Sequence, residues 1–374
     1  MNMEGFYNKV ILVGNGFDLA QDLKTSYRDF IEDFWEKEKQ KVISSLDRKI
    51  KETYVYYSYN DEFISMISPY AIDDLPNSLK PYEKGYKWFA NIVSYKQTRN
   101  LSGNNITFKV EYKNMFLKLI TERAFSPNWS DIEAAYYFSL KQCLNNKWQG
   151  GVEKLNEDFL AIQNSLEEYL TIQTKNIHPA SSKILENLIS IINPKITEEV
   201  QSNPNAGSII FLNFNYTNTV NTYINTHLKQ YPIKIKCIHI HGELNNPYNR
   251  LIFGYGDEID ENYKLIENLN DNNYLKNVKS MKYQETENYK NMLSYIDSKE
   301  YQIFIMGHSC GISDRTLLNI LFEHKNCKTI KVFYHKWEDG TDNYSDLVMN
   351  ISRNFTNNAL MRRILVSKTS SETL

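Results

Sequence analysis

The sequence predicts an α/β protein built on a mostly parallel sheet, interrupted by a large, mainly helical insertion. Two observations carry this. Short apolar runs recur at both ends of the 374-residue chain, each running into a turn of glycine, asparagine or histidine, with helical stretches between them. The long middle, residues 41–205, lacks such runs, and so long a stretch inside a compact domain must form structure of its own. The expected organisation is therefore a core of residues 1–40 and 206–374 with an insertion at 41–205.

KVILVGNGFDLA (Lys9–Ala20) reads as a β-branched strand, a glycine turn and a helix start, and FIEDFWEKEKQKVISSLDRKI (Phe30–Ile50) as an amphipathic helix. Residues 50–110, broken by Pro69, Pro76 and Pro81, are weakly periodic. In NWSDIEAAYYFSLKQCL (Asn128–Leu144), Ser130 and Glu133 match a capping box at a helix start. Asp131 and Glu133 are read as capping groups rather than a catalytic pair, because residues two apart on a helix do not share a face. Leu155, Phe159, Ile162, Leu166 and Tyr169 recur at helical spacing. After a polar break at Gln201–Ser208 the pattern changes to strand and turn: SIIFLNFNYTNTV, IKIKCIHIHGEL, RLIFGYGDE, YQIFIMGHSCGISDRTLLNIL and TIKVFYH.

Composition excludes several classes. With 43 basic and 45 acidic residues and a net charge of −2, there is no bulk pull toward nucleic acid or a membrane. The cysteines, Cys143, Cys237, Cys310 and Cys327, are scattered, so a reducing, cytoplasmic setting and no metal site are expected. No apolar run approaches the roughly twenty residues of a membrane span.

In a parallel sheet, ligands bind beyond the carboxyl ends of the strands. The turns expected there are Gly14-Asn15-Gly16, Asn213–Tyr216, His241-Gly242, Gly254–Asp257 and Gly307-His308-Ser309. Glycines after a buried strand allow a phosphate close to the backbone. The GxGxxG fingerprint is incomplete, with Leu19 at its last glycine, and the region about twenty residues on reads as helix, which disfavours an ordinary dehydrogenase. Asp18 is either a ligand contact or a cap, and Asp257 either a turn cap or a ligand contact. The carboxamides of Asn213 and Asn215 can orient a water or ribose hydroxyl without titrating, or shape the turn. His239 and His241 are read as pointing to opposite faces of their strand, His239 as a core histidine and His241, before Gly242, as the proton-transfer candidate. Ser309 in GHSCG approximates a nucleophile elbow, with Asp314 and His324 or His335 as the other triad members.

ILVGNGFDLAQDLKTSYRDF, with NWSDIE, LNFNYTNTV, HIHGEL, IFGYGDE and IFIMGHSCGISDRTLL, resembles the abortive-infection AbiH family, bacterial proteins associated with phage defence. The same blocks resemble, more distantly, the Rossmann-like fold of sirtuins: the glycine turn, SYRDF (Ser26–Phe30) as the cofactor-loop segment, FNYT with Asn215, IHGEL with His241, and GHS. The sirtuin zinc module is absent. The resemblance implies an anti-phage effector that hydrolyses NAD or NADP, as substrate and without a metal, to nicotinamide and ADP-ribose or its phosphate. It implies His241 and Asn215 as catalytic residues. Gly14, Asn15, Gly16, Phe17, Asp18, Asn213, Gly254, Asp257, Gly307, His308 and Ser309 would bind the nucleotide. A phage-derived trigger and self-association are the further partners it suggests. The alternatives are a nucleotide-binding sensor or scaffold without turnover, and a nuclease-type effector.

Overall fold

The computed structural model describes residues 7–51, 54–71, 73–75, 77, 80–124, 132–175, 181–192 and 207–374. Pro76, Ser130, Asp131 and the polar break up to residue 206 lie outside the described residues. The chain divides into two compact units, Met1–Thr25 with Leu170–Leu374, and Ser26–Tyr169. The compact units meet at 25/26 and 169/170.

The first unit holds a six-stranded sheet in the order β12-β11-β10-β1-β8-β9. Its strands are β1 (Asn8–Val13), β8 (Ile209–Asn213), β9 (Ile235–His239), β10 (Tyr301–Met306), β11 (Cys327–Tyr334) and β12 (Glu372–Thr373). Every neighbouring pair is parallel. β1 and β8 are buried along their whole length, as continuous apolar runs in a sheet covered on both faces should be. Successive side chains of β1 feed opposite cores. Val10 and Leu12 pack with α11 (Asn288–Ser298), α12 (Arg315–Glu323), α13 (Tyr344–Arg353) and α14 (Asn358–Ile364). Ile11 and Val13 pack with α1 (Asn15–Leu19), α7 (Ser182–Ile192) and α8 (Thr219–Tyr223). The result within this unit is a three-layer α/β/α arrangement, the Rossmann-like class the sequence predicts. The strand order reverses beside β1: β8 and β9 extend one way, β10 to β12 the other. Such a switch point opens a crevice at the carboxyl ends of the strands.

The second unit carries α2 (Tyr27–Ser45), α3 (Gly85–Ser94), α4 (Met115–Ala124), α5 (Ile132–Leu144) and most of α6 (Gly151–Gln173). The helical spacing from Leu155 to Tyr169 forms a buried face of α6. Beside its helices the unit contains an antiparallel sheet of β2 (Asp47–Lys51), β3 (Tyr54–Asn60), β4 (Ile64–Ser68) and β7 (Lys109–Tyr112), and a hairpin of β5 (Thr98–Leu101) and β6 (Asn104–Thr107). The long charged helix therefore ends at Ser45, and the DRKI segment read as its last turn is an exposed strand paired with Tyr54–Ser58. A charged strand with no buried face leaves no period-two signal to read. A capping box occurs at Ser26: its Oγ accepts from Asp29 N–H at 3.1 Å, and the Asp29 carboxylate accepts from Ser26 N–H at 3.2 Å. SYRDF is thus the capped start of α2.

Among the described residues, no helix is long and apolar enough to cross a membrane.

Candidate active site

Because the sheet is parallel, the turns after β1, β8, β9 and β10 leave it at one edge. The Gly14 and Gly16 amides donate to the Met306 and Gly307 carbonyls at 3.3 and 2.8 Å. A Cβ on Gly14 would lie 2.5 Å from His308 Cα, and one on Gly16 2.8 Å from Gly307 Cα. These glycines therefore let the turn after β1 and the turn after β10 touch, backbone to backbone. Gly307 itself adopts φ 75°, a left-handed conformation that favours glycine.

The turn after β8 closes the same edge. Asn213, fully buried, accepts from Asn215 N–H at 3.1 Å and donates to the Thr217 carbonyl at 3.0 Å. Asn215 Nδ2 donates to the Gly14 carbonyl at 3.0 Å. Thr217 Oγ1 donates to Asp18 Oδ2 at 2.6 Å, while Asp18 Oδ1 is buried without a hydrogen-bond partner among the described residues. Burial raises the Asp18 pKa to about 6, against the lowering effect of Thr217, Thr219 and Asn215. Phe17 is buried edge-on against Tyr223 in the α7/α8 core. The side chain of Asn15 accepts from Thr25 at 2.6 Å.

His239 and His241 do occupy different environments, but strand alternation is not the cause. Residues two apart on a regular strand share a face. β9 ends at His239, and the chain turns before His241. The two His239 nitrogens lie beside the amides of Asn213 and Asn221 at 3.3 and 3.1 Å, and burial lowers its pKa. His241 turns instead into a buried polar cluster. Its Nε2 lies 3.2 Å from Asp314 Oδ1 and 3.1 Å from the Tyr283 hydroxyl. Asp314 also takes Lys279 Nζ at 2.7 Å and faces His308 Nε2 at 3.5 Å. Phe214 lies edge-on to both imidazoles, 5.0 Å from His241 and 4.1 Å from His308.

The electrostatics of the cluster follow from its burial and its one anion. Burial and then the Lys279 ammonium push the His241 pKa down to about 4, with Asp314 opposing. Burial alone would raise Asp314, yet Lys279 and His241 together hold its carboxyl well below the usual range. At neutral pH the arrangement is a neutral imidazole against a carboxylate. His308 Nδ1 accepts from Cys310 N–H at 3.0 Å, which places its proton on Nε2, facing Asp314.

The remaining expected residues separate from this cluster. Asp257 accepts from the Ile259 and Asp260 amides at 3.1 and 3.2 Å, and from Arg315 at 3.5 Å, and so caps a turn. Its pKa is raised by burial in spite of Arg315. At Gly254 the Asn277 carbonyl approaches too closely for a Cβ. Ser309 is exposed, and its carbonyl accepts from Asn350 at 2.9 Å. Two of its three candidate partners are engaged elsewhere, His324 with Asp297 at 3.2 Å and Asp314 in the cluster. A cleft of about 550 Å³ lies in the first unit beyond β8 and β9, its lining including Tyr216, Asn218, Glu243 and Lys175. Lys279 and Tyr283 carry no sequence signal, since each stands in an unremarkable polar stretch. The sequence offers Asp314 only as the acid of a Ser309 triad, not as a partner of His241.

Fold and site define an α/β protein with a buried histidine–carboxylate pair at the switch-point edge of a parallel sheet. The chain belongs to the bacteriophage abortive infection AbiH family, whose profile matches residues 10–336. Its role is accordingly in abortive infection. No curated protein and no solved structure matches significantly.

Proposed function

We propose that this chain is the effector of its abortive-infection response and acts by hydrolysing NAD or NADP to nicotinamide and ADP-ribose or its phosphate. The observation that supports this is the His241–Asp314 pair at 3.2 Å, buried at the carboxyl edge of the sheet. In this reading neutral His241 takes the proton of a water attacking a ribose C1′, as a weak base whose pKa burial and Lys279 hold near 4. The bond from C1′ to the nicotinamide nitrogen breaks with its electron pair going to the ring. The water oxygen bonds to C1′, and its proton goes to His241. Asn215 shapes the site through the Gly14 carbonyl, holding the first turn at the substrate edge.

The second reading is a nucleotide-binding sensor without turnover, and one observation bears on both readings equally. The Gly14 and Gly16 amides that would cradle a phosphate are already spent on Met306 and Gly307. Nucleotide binding through these amides, with or without turnover, requires the two turns to part.

The experiment measures NAD, NADP, nicotinamide and ADP-ribose in cells expressing the protein, with and without phage challenge, for wild type and His241→Gln at matched levels. Loss of NAD or NADP in wild type alone supports hydrolysis. Protection against phage with steady nucleotide pools, unchanged in His241→Gln, overturns it in favour of the sensor.

A further inference from the structure

We propose that Asp314 is the positioning residue of the site: it fixes His241 as the Nε2–H tautomer, so that Nδ1 is the nitrogen that accepts the proton. This rests on the reading of His241 as a base, but the tautomer itself can be measured without any turnover.

The groups around the imidazole come from separate segments. They are Asp314, just before α12, Lys279 at the start of α10 (Lys279–Lys282), Tyr283 directly after it, His308 after β10, and Phe214 after β8. Two oxygens compete for one nitrogen: Asp314 Oδ1 at 3.2 Å and the Tyr283 hydroxyl at 3.1 Å both face Nε2. A carboxylate accepts only, whereas a phenol both donates and accepts. Were Nε2 the bare lone pair, it would face the carboxylate at 3.2 Å, two acceptors opposed in a buried site. With the proton on Nε2, the bond to Asp314 is charge-assisted, roughly twice the strength of a neutral one. The buried Lys279 ammonium at 2.7 Å keeps Asp314 an anion, and so keeps it an acceptor. His308 presents its own Nε2–H to the other carboxylate oxygen, because its Nδ1 is taken by Cys310 N–H. Asp314 thus takes a hydrogen bond from Lys279, lies 3.2 and 3.5 Å from the Nε2 atoms of His241 and His308, and as an anion has no proton to offer His241. The contacts of the His241 side chain with Asp314 and Tyr283 both fall on Nε2.

The test uses the full chain labelled with ¹⁵N in histidine only, seven residues. Two-bond ¹⁵N–¹H correlation spectra are recorded between about pH 5.5 and 8, bracketing the free histidine pKa. His241 is assigned from its loss in His241→Gln. The expected result in wild type is Nε2 protonated and Nδ1 bare throughout this range. In Asp314→Asn the Nε2–H preference is lost. Because that variant leaves Lys279 buried without its anion, Asp314→Asn/Lys279→Met is the second variant, and it loses the preference equally. A wild-type His241 that carries its proton on Nδ1, or a double variant that keeps the wild-type pattern, overturns the proposal. If the spectra match and no nicotinamide nucleotide is consumed in cells, NAD hydrolysis fails and the tautomer assignment stands. If nucleotide is consumed but the proton sits on Nδ1, hydrolysis stands and the role given to Asp314 falls.

Discussion

Asn215 donates from its side chain to the carbonyl of Gly14 at 3.0 Å, joining two turns 201 residues apart in the chain. The turn after β8 is thereby fastened to the turn after β1 at the edge where the strand order reverses. Asn215→Ala is expected to cost about 1 kcal/mol, the worth of one hydrogen bond. Urea denaturation reads the loss. Asn215→Asp should be worse, because a carboxylate set against a carbonyl oxygen repels it.

The contact between the two glycine turns leaves no room for a side chain. Gly14→Ala would press a methyl against His308 Cα, 2.5 Å away, in a region of rigid backbone. We expect a destabilisation of about 1–3 kcal/mol, typical of overpacking. Gly307→Ala should exceed it, adding the strain of a left-handed φ to a clash with the Phe17 amide. The ranking of the two denaturation midpoints tests this.

Asp18 predicts a pH dependence. Its pKa is about 6 in the folded chain, above the unfolded value of 3.8, because burial disfavours the anion. The folded state therefore holds the extra proton between these values, and the associated stability is present below pH 3.8 and lost as pH rises through about 6. Asp18→Asn removes this titration and gives the unpaired Oδ1 position an amide donor. Relative to wild type, the variant should gain stability on going from pH 4.5 to pH 7.5. Thermal denaturation at both pH values would detect the change, and an unchanged difference would count against a protonated Asp18.

Lys279 should be the most sensitive position of the cluster. Lys279→Met leaves Asp314 as a buried anion facing two histidines, and breaking such a pair from one side costs about 3–5 kcal/mol. The combined Lys279→Met/Asp314→Asn change removes both charges and should recover part of that loss. A double-variant penalty equal to the sum of the single ones would mean the two side chains do not act together.

Ser309→Ala should be silent. The residue is exposed, and surface changes away from special features stay within about 0.5 kcal/mol. Phage protection should be kept as well. Its loss at matched expression would restore the serine-nucleophile reading.

Much of the sheet was legible. Val10–Val13, Ile209–Leu212 and Ile303–Met306 are apolar runs too short for helices and bounded by turn residues, and the structure makes strands of all three. Asn213, Gly14 and His241 stand out by their place at or just after the ends of such runs. In the second unit β2, β5 and β6 escaped because their side chains are mostly charged or polar and exposed. A strand with neither face buried shows no alternation, and only its pairing partner defines it.

By itself the sequence determined the local choices: which segments form the parallel strands, where glycine and asparagine turn the chain, and that these turns end a sheet. Those choices rest on side-chain periodicity and backbone freedom, which act over a few residues. Only the tertiary structure decided that Lys279, Tyr283, His308 and Asp314 surround His241, and that Gly14 and Gly16 face Gly307. Strand order brings these groups together, and no local pattern encodes it. A buried carboxylate is tolerated only where donors from several segments converge on it, and that convergence exists only once the sheet has assembled.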